Sequence, residues 1–99
     1  MYEVELKPQT QRFIERQSQK VKRQLIKRIE ALQEDPRPPG SKLLISEKKV
    51  YRVRSGNYRI VYQVKDKELL VLVAKVDDRK DVYKKGLNYL IKALEADTA

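Results

Sequence analysis

Tyr2, Val4 and Leu6 alternate with Glu3, Glu5 and Lys7, the twofold period of a strand that buries one side. Pro8 ends that run, and its fixed φ suits the first turn of a helix. Across residues 9–34, Phe13, Ile14, Val21, Leu25, Ile26, Ile29 and Leu32 recur at intervals of three and four, the helical period. Ser18 stands where its hydroxyl can cap a second helix, so the spacing predicts a helical hairpin or one bent helix. Asp35-Pro36-Arg37-Pro38-Pro39-Gly40 is the clearest loop, because proline withholds the N–H that a helix needs and glycine permits the turn. After residues 42–45 come three strand-like runs, 50–54, 58–64 and 69–76. The last is almost continuously apolar, the pattern of a central strand covered on both faces. Leu87, Leu90, Ile91 and Leu94 then form the stripe of a short amphipathic helix. The expected fold is α+β in one domain over residues 1–99: an N-terminal strand, a helical hairpin, an antiparallel three-stranded meander completing a small sheet, and a short C-terminal helix.

Composition narrows the chemistry. Ninety-nine residues suffice for one core. Lys plus Arg number 23 against 14 Asp plus Glu, a formal net charge of +9, which favours a polyanionic partner such as nucleic acid, an anionic membrane or an acidic protein. No apolar run approaches the roughly 20 residues of a membrane span, and Met1-Tyr2-Glu3-Val4 lacks the basic start and apolar stretch of a secretory signal. A cytoplasmic protein without a membrane partner is expected. Cys and His are both absent, which removes thiol nucleophiles, disulfides, the usual zinc ligands and histidine proton transfer together. Catalysis must then rest on Arg, Lys, Tyr, Asp, Glu, Ser or backbone groups. Arginine suits charge stabilisation better than proton transfer.

Ser55-Gly56-Asn57-Tyr58 joins two strand-like runs, and Gly56 fits the first central position of a type II′ hairpin turn. That turn sets a register in which Ser55 faces Tyr58, Arg54 faces Arg59, Val53 faces Ile60, Arg52 faces Val61 and Tyr51 faces Tyr62. Arg52, Arg54 and Arg59 then share one face. A second hairpin around Asp66 and Lys67 brings the end of the 69–76 run back beside Gly56, with Arg79 emerging there and Tyr83 about a helical turn later. Charges on a strand face are ordinarily just solvated. Here like charges stand directly opposed, which destabilises by roughly 0.2–1 kcal/mol, and a phosphate would offset that because a guanidinium offers a planar fork to two oxygens.

Tyr83 reads either as a half-buried rim residue or, among Arg79, Lys80, Lys84 and Lys85, as a platform on which a base stacks. Lys20, Lys22, Arg23, Lys27 and Arg28 read most simply as a solvated helix face, with a second phosphate-contacting surface as the alternative. Asp77 and Asp78 are the tempting carboxylate pair, but only Asp81 stands near to complete an oxygen-ligand cation site. Asp at the start of a helix is ordinary capping. No cofactor and no metal are expected.

The stretches Val50-Tyr51-Arg52-Val53-Arg54-Ser55-Gly56-Asn57-Tyr58-Arg59-Ile60-Val61-Tyr62 and Val76-Asp77-Asp78-Arg79-Lys80-Asp81-Val82-Tyr83 resemble the RelE toxin family of type II toxin–antitoxin systems, and the similarity spans nearly the whole chain. The resemblance implies a ribosome-dependent mRNA endonuclease that cuts the codon in the A site, with ribosome and mRNA as targets and a cognate RelB-like antitoxin as the silencing partner. It also implies metal-free cleavage, in which the message's 2′-hydroxyl attacks the adjacent phosphorus to leave a 2′,3′-cyclic phosphate and a 5′-hydroxyl. Matching positions place the functional set at Arg52, Arg54, Arg59, Arg79 and Tyr83, with Arg59 and Arg79 on the reacting phosphate and Tyr83 on the base. Two departures stand out: some relatives carry lysine at the positions of Arg52 and Arg54, and many have Gly-His where this chain has Asp77 and Asp78. The same fold serves ParE-type toxins, which act on DNA gyrase without cutting RNA, and this is the competing expectation.

Overall fold

The computed structural model describes residues 1–78. Within them the chain runs β1 (Glu3–Leu6), α1 (Pro8–Glu15), α2 (Gln19–Glu34), β2 (Lys42–Ile45), β3 (Val50–Ser55), β4 (Tyr58–Lys65), a 3-10 turn (Asp66–Glu68) and β5 (Leu70–Asp78). The helical stretch is two helices rather than one bent one. Pro8 opens α1, and the Ser18 hydroxyl accepts the Val21 backbone N–H at 3.3 Å as the N-cap of α2.

The strands form one five-stranded sheet in the order β1-β5-β4-β3-β2, with β1 parallel to β5 and the other pairs antiparallel. This corrects the expectation of an N-terminal strand plus a three-stranded meander, because Lys42–Ile45 adds a fifth strand on the edge. Four residues with no alternation of their own carry little strand signal; pairing to β3 supplies the order. The apolar β5 run is interior, as its composition predicts, but β4 takes the middle place. The expected C-terminal helix lies outside the described residues.

The two faces of the sheet have different fates. Ile14, Leu25, Ile29 and Leu32 of the helices are buried against Val53, Ile60, Tyr62, Val64, Val71, Val73 and Val76, and each such aliphatic burial contributes about 1.5–3 kcal/mol. On the opposite face Val50, Val61, Leu72 and Ala74 make a smaller buried cluster, flanked by Leu44 and Ile45. No helix among the described residues is long and apolar enough to cross a membrane.

An irregularity in β5 determines which of its last residues face the helices. Tyr62 pairs with Val73, but Val61 pairs with Lys75 and Ile60 with Val76. Ala74 and Lys75 together therefore oppose Val61, a β-bulge. Regular pairing from Tyr62–Val73 onward would set Lys75 opposite Ile60, facing the helices, and Val76 opposite Arg59. The bulge restores Val76 to the core. A bulge also displaces a backbone carbonyl from its ladder, and here the buried Thr10 hydroxyl of α1 donates to the Ala74 oxygen at 3.0 Å.

Candidate functional site

The β3–β4 hairpin has the register that its turn implies, with Ser55 opposite Tyr58, Arg54 opposite Arg59, Val53 opposite Ile60, Arg52 opposite Val61 and Tyr51 opposite Tyr62. Gly56 takes φ +59° while Asn57 stays outside the positive-φ region, the combination that a type II′ turn requires. Because Val53 and Ile60 point into the helix-covered core, the pleat turns Arg52, Arg54 and Arg59 to the other side.

There they join residues from the neighbouring strands in two rows across the sheet. The first reads Lys42, Arg52, Val61, Lys75; the second reads Arg54, Arg59, Asp77. Arg54 is exposed and Arg52 half-buried. Arg59 is withdrawn to 9% exposure, flanked directly by a cation on β3 and a carboxylate on β5. Lys75 and Asp77 are also withdrawn, with side-chain exposures of 16% and 15%, and their charged groups lie 3.5 Å apart. Among the described residues, five cations and one carboxylate thus occupy one end of a sheet face whose other end is apolar. Such an arrangement is chemically suited to a multiply charged oxyanion, since a guanidinium offers a planar fork to two of its oxygens.

At the hairpin tip the helices come alongside. Arg28 Nε donates to the Arg54 carbonyl at 3.1 Å, and the Ser55 hydroxyl to the Gln24 carbonyl at 3.4 Å. Gln24, Lys27, Arg28, Ala31, Ser55 and Gly56 line an open groove of about 350 Å³ there.

A family model described as the ParE toxin of the type II toxin–antitoxin system, parDE, matches residues 4–83. The chain belongs to the RelE/ParE superfamily of type II toxins. Among solved structures this toxin is similar to the isolated RelE toxin of E. coli, at 26% identity and a TM-score of 0.69, over 91% of this chain and 99% of that one. It is similar also to the intact E. coli RelBE toxin–antitoxin complex, at 29% identity and TM-score 0.68, over 79% and 96%. The archaeal RelE–RelB complex of Pyrococcus horikoshii OT3 shares the fold at 22% identity and TM-score 0.74, over 81% and 97%. No curated protein matches the chain.

Of the positions singled out from sequence, Arg52, Arg54 and Arg59 come together on the toxin's basic face. Arg79, Lys80, Tyr83 and Lys84 lie outside the described residues. Lys20, Lys22 and Arg23 belong to the first two turns of α2, which packs on the opposite side of the sheet; Lys27 and Arg28 alone of the helix set reach the hairpin tip. Asp77 and Asp78 are the last residues of β5 rather than helix caps, so Asp77 belongs to the arginine rows. Lys42, Lys75 and Asp77 were not legible as members of those rows: Lys42 needed the fifth strand, and the other two needed the bulge.

A second polar cluster sits at the far end of β4. The Asp66 carboxylate accepts hydrogen bonds from Tyr2 at 2.7 Å, Arg37 at 2.7 Å and Lys49 at 2.9 Å. Those donors, Arg37 foremost, hold it well below the usual carboxylate range. Arg37 also donates from Nε to the Tyr51 hydroxyl at 2.9 Å and lies over that ring at 5.4 Å from its centre. Tyr51 stacks on Tyr62, with centroids 5.9 Å apart. Tyr62, whose hydroxyl donates to the Pro36 carbonyl at 2.7 Å, has its phenol pushed up to about 12 by burial. This cluster ties the N-terminus, the proline loop and the β4–β5 turn together, with both of its cations paired to one internal carboxylate.

Proposed function

We propose that this toxin is a ribosome-dependent mRNA endonuclease, silenced by a RelB-like antitoxin and working in the cytoplasm where ribosomes are. The observation that carries the reading is the row in which Arg54 stands directly opposite Arg59 beside Arg52, a repulsive arrangement in the free chain that a phosphodiester relieves. RelE toxins among the similar structures, several of them captured with their antitoxins, support both the activity and the partner.

In this reading the message's 2′-oxygen bonds to the adjacent phosphorus while the bond from phosphorus to the 5′-oxygen breaks. The proton leaving the 2′-hydroxyl is matched by one arriving on the 5′-oxygen. Arg59, joined by Arg79, neutralises the charge that builds on the pentavalent phosphorus. Arg52 and Arg54 grip the flanking backbone, and Tyr83 orients the base. Positioning and charge stabilisation of this kind suffice for large accelerations. Lys27, Arg28, Lys80 and Lys84 add backbone or ribosome contacts, which makes binding strongly salt-dependent.

The family model's ParE description favours a second reading, a gyrase inhibitor without ribonuclease activity. Ribosomes holding a defined message with an empty A site separate the two. Cleavage within the A-site codon by the purified chain, lost in Arg59→Ala and slowed in Tyr83→Phe, supports the nuclease. An intact message beside an active control toxin, together with inhibited supercoiling by gyrase, supports the second reading.

A further inference from the structure

We propose that Asp77 is a positioning residue for Arg59, an internal counter-anion that holds the guanidinium in the orientation a phosphate needs; its catalytic consequence rests on the nuclease reading above. Arg59 and Asp77 are direct partners across β4 and β5, on the same face, so their Cβ atoms stand about 4.5–5.5 Å apart. Both are withdrawn from water, where opposite charges attract more strongly than at an open surface. The other neighbour of Arg59 in the row is Arg54. Repulsion from one side and attraction from the other turn the guanidinium towards β5.

The placement is a product of the bulge. Without it Val76 would face Arg59 and Asp77 would be one position out of the row. Thr10 fixes the bulge through the Ala74 carbonyl, so part of α1 and an irregular stretch of β5 serve to set a carboxylate beside this arginine. Lys75, 3.5 Å from the same carboxylate, shares it and so weakens its hold. Shared in this way, Asp77 orients Arg59 yet yields the outer edge of the fork to a stronger anion.

Asp77 then has two opposing effects on RNA. It orders Arg59, which speeds the reaction, and it subtracts a positive charge from the face, which weakens binding. Replacing it with a neutral isostere separates them. In Asp77→Asn the limiting cleavage rate on programmed ribosomes under single-turnover conditions should fall about 10- to 100-fold, while the half-saturating toxin concentration stays level or falls. Asp77→Glu should recover most of the rate. A merely structural role would move neither quantity in this pattern.

A second measurement does not depend on cleavage. Rotation of the Arg59 guanidinium about Nε–Cζ, followed by nitrogen-15 NMR and assigned by its loss in Arg59→Lys, should be slow in the wild-type chain and fast in Asp77→Asn. Fast rotation in the wild type overturns the pairing, even if Asp77→Asn does not fold. An Asp77→Asn rate within twofold of wild type overturns the positioning role. Should the wild-type chain leave the message intact, the nuclease reading fails, and the rotation measurement still decides whether Asp77 holds Arg59.

Discussion

The two ends of β4 handle charge in opposite ways. At the Asp66 end one carboxylate collects three donors, Tyr2, Arg37 and Lys49, and the cations there are spent on an internal partner. At the Arg59 end, among the described residues, five cations share a face with one carboxylate, and two of them are set directly opposite each other. The first arrangement ties segments of the fold together; the second sets like charges directly opposite each other, which the nuclease reading takes as preparation for a phosphate. Residue type does not distinguish the two ends, since both use arginine, lysine, aspartate and backbone carbonyls. The ratio of anions to cations does.

The largest effect should come from the end that is poor in anions. Arg59→Ala is expected to slow cleavage on programmed ribosomes on the order of 100- to 1,000-fold while thermal unfolding stays close to wild type. A fold lost together with the activity would place Arg59 in the stabilising class instead.

Next comes the device that separates the two ends. Thr10→Val leaves the Ala74 carbonyl buried without its donor and should cost about 1–3 kcal/mol in denaturant titration. An unchanged midpoint would show that the bulge holds without α1.

Asp66→Asn should lower stability at neutral pH by up to about 1 kcal/mol, because the carboxylate is partly exposed and its pairs are screened. Its pKa is lower folded than unfolded. The contribution is therefore complete above the unfolded carboxylate value of about 4 and is lost as pH falls through the folded value. Wild type should lose its advantage over Asp66→Asn on acidification through that window, and parallel curves would remove Asp66 as the source.

The smallest effect should have the opposite sign. Arg54→Gln relieves a like-charge pair and should stabilise the free chain by about 0.2–1 kcal/mol while weakening RNA binding and flattening its salt dependence. Destabilisation by this substitution would erase the contrast between the ends.

Much of this organisation is visible in the letters. Alternation in Tyr2–Leu6, the helical spacing up to Leu32, Ser18 as a cap and Gly56 as a turn each act locally, through one residue's geometry or one short period, and the register implied by Gly56 is the observed one. Lys42–Ile45 escapes because an edge strand of four residues takes its conformation from its neighbour. The bulge escapes because Leu70–Ala74 is apolar on both faces, so no alternation leads up to the point where the phase changes. The membership of Lys75 and Asp77 in the site hangs on that change of phase and was hidden with it.

The bulge also limits how this chain can vary over generations. Substitutions in β5 act one position at a time, but a change that flattened the bulge at unchanged length between Val73 and Asp77 would exchange inside for outside along the strand's end. Lys75 would then turn towards the helices and Val76 towards the opposite face of the sheet. Core and basic face in this stretch therefore depend on one backbone irregularity, and its loss at unchanged length would disturb both in the same event.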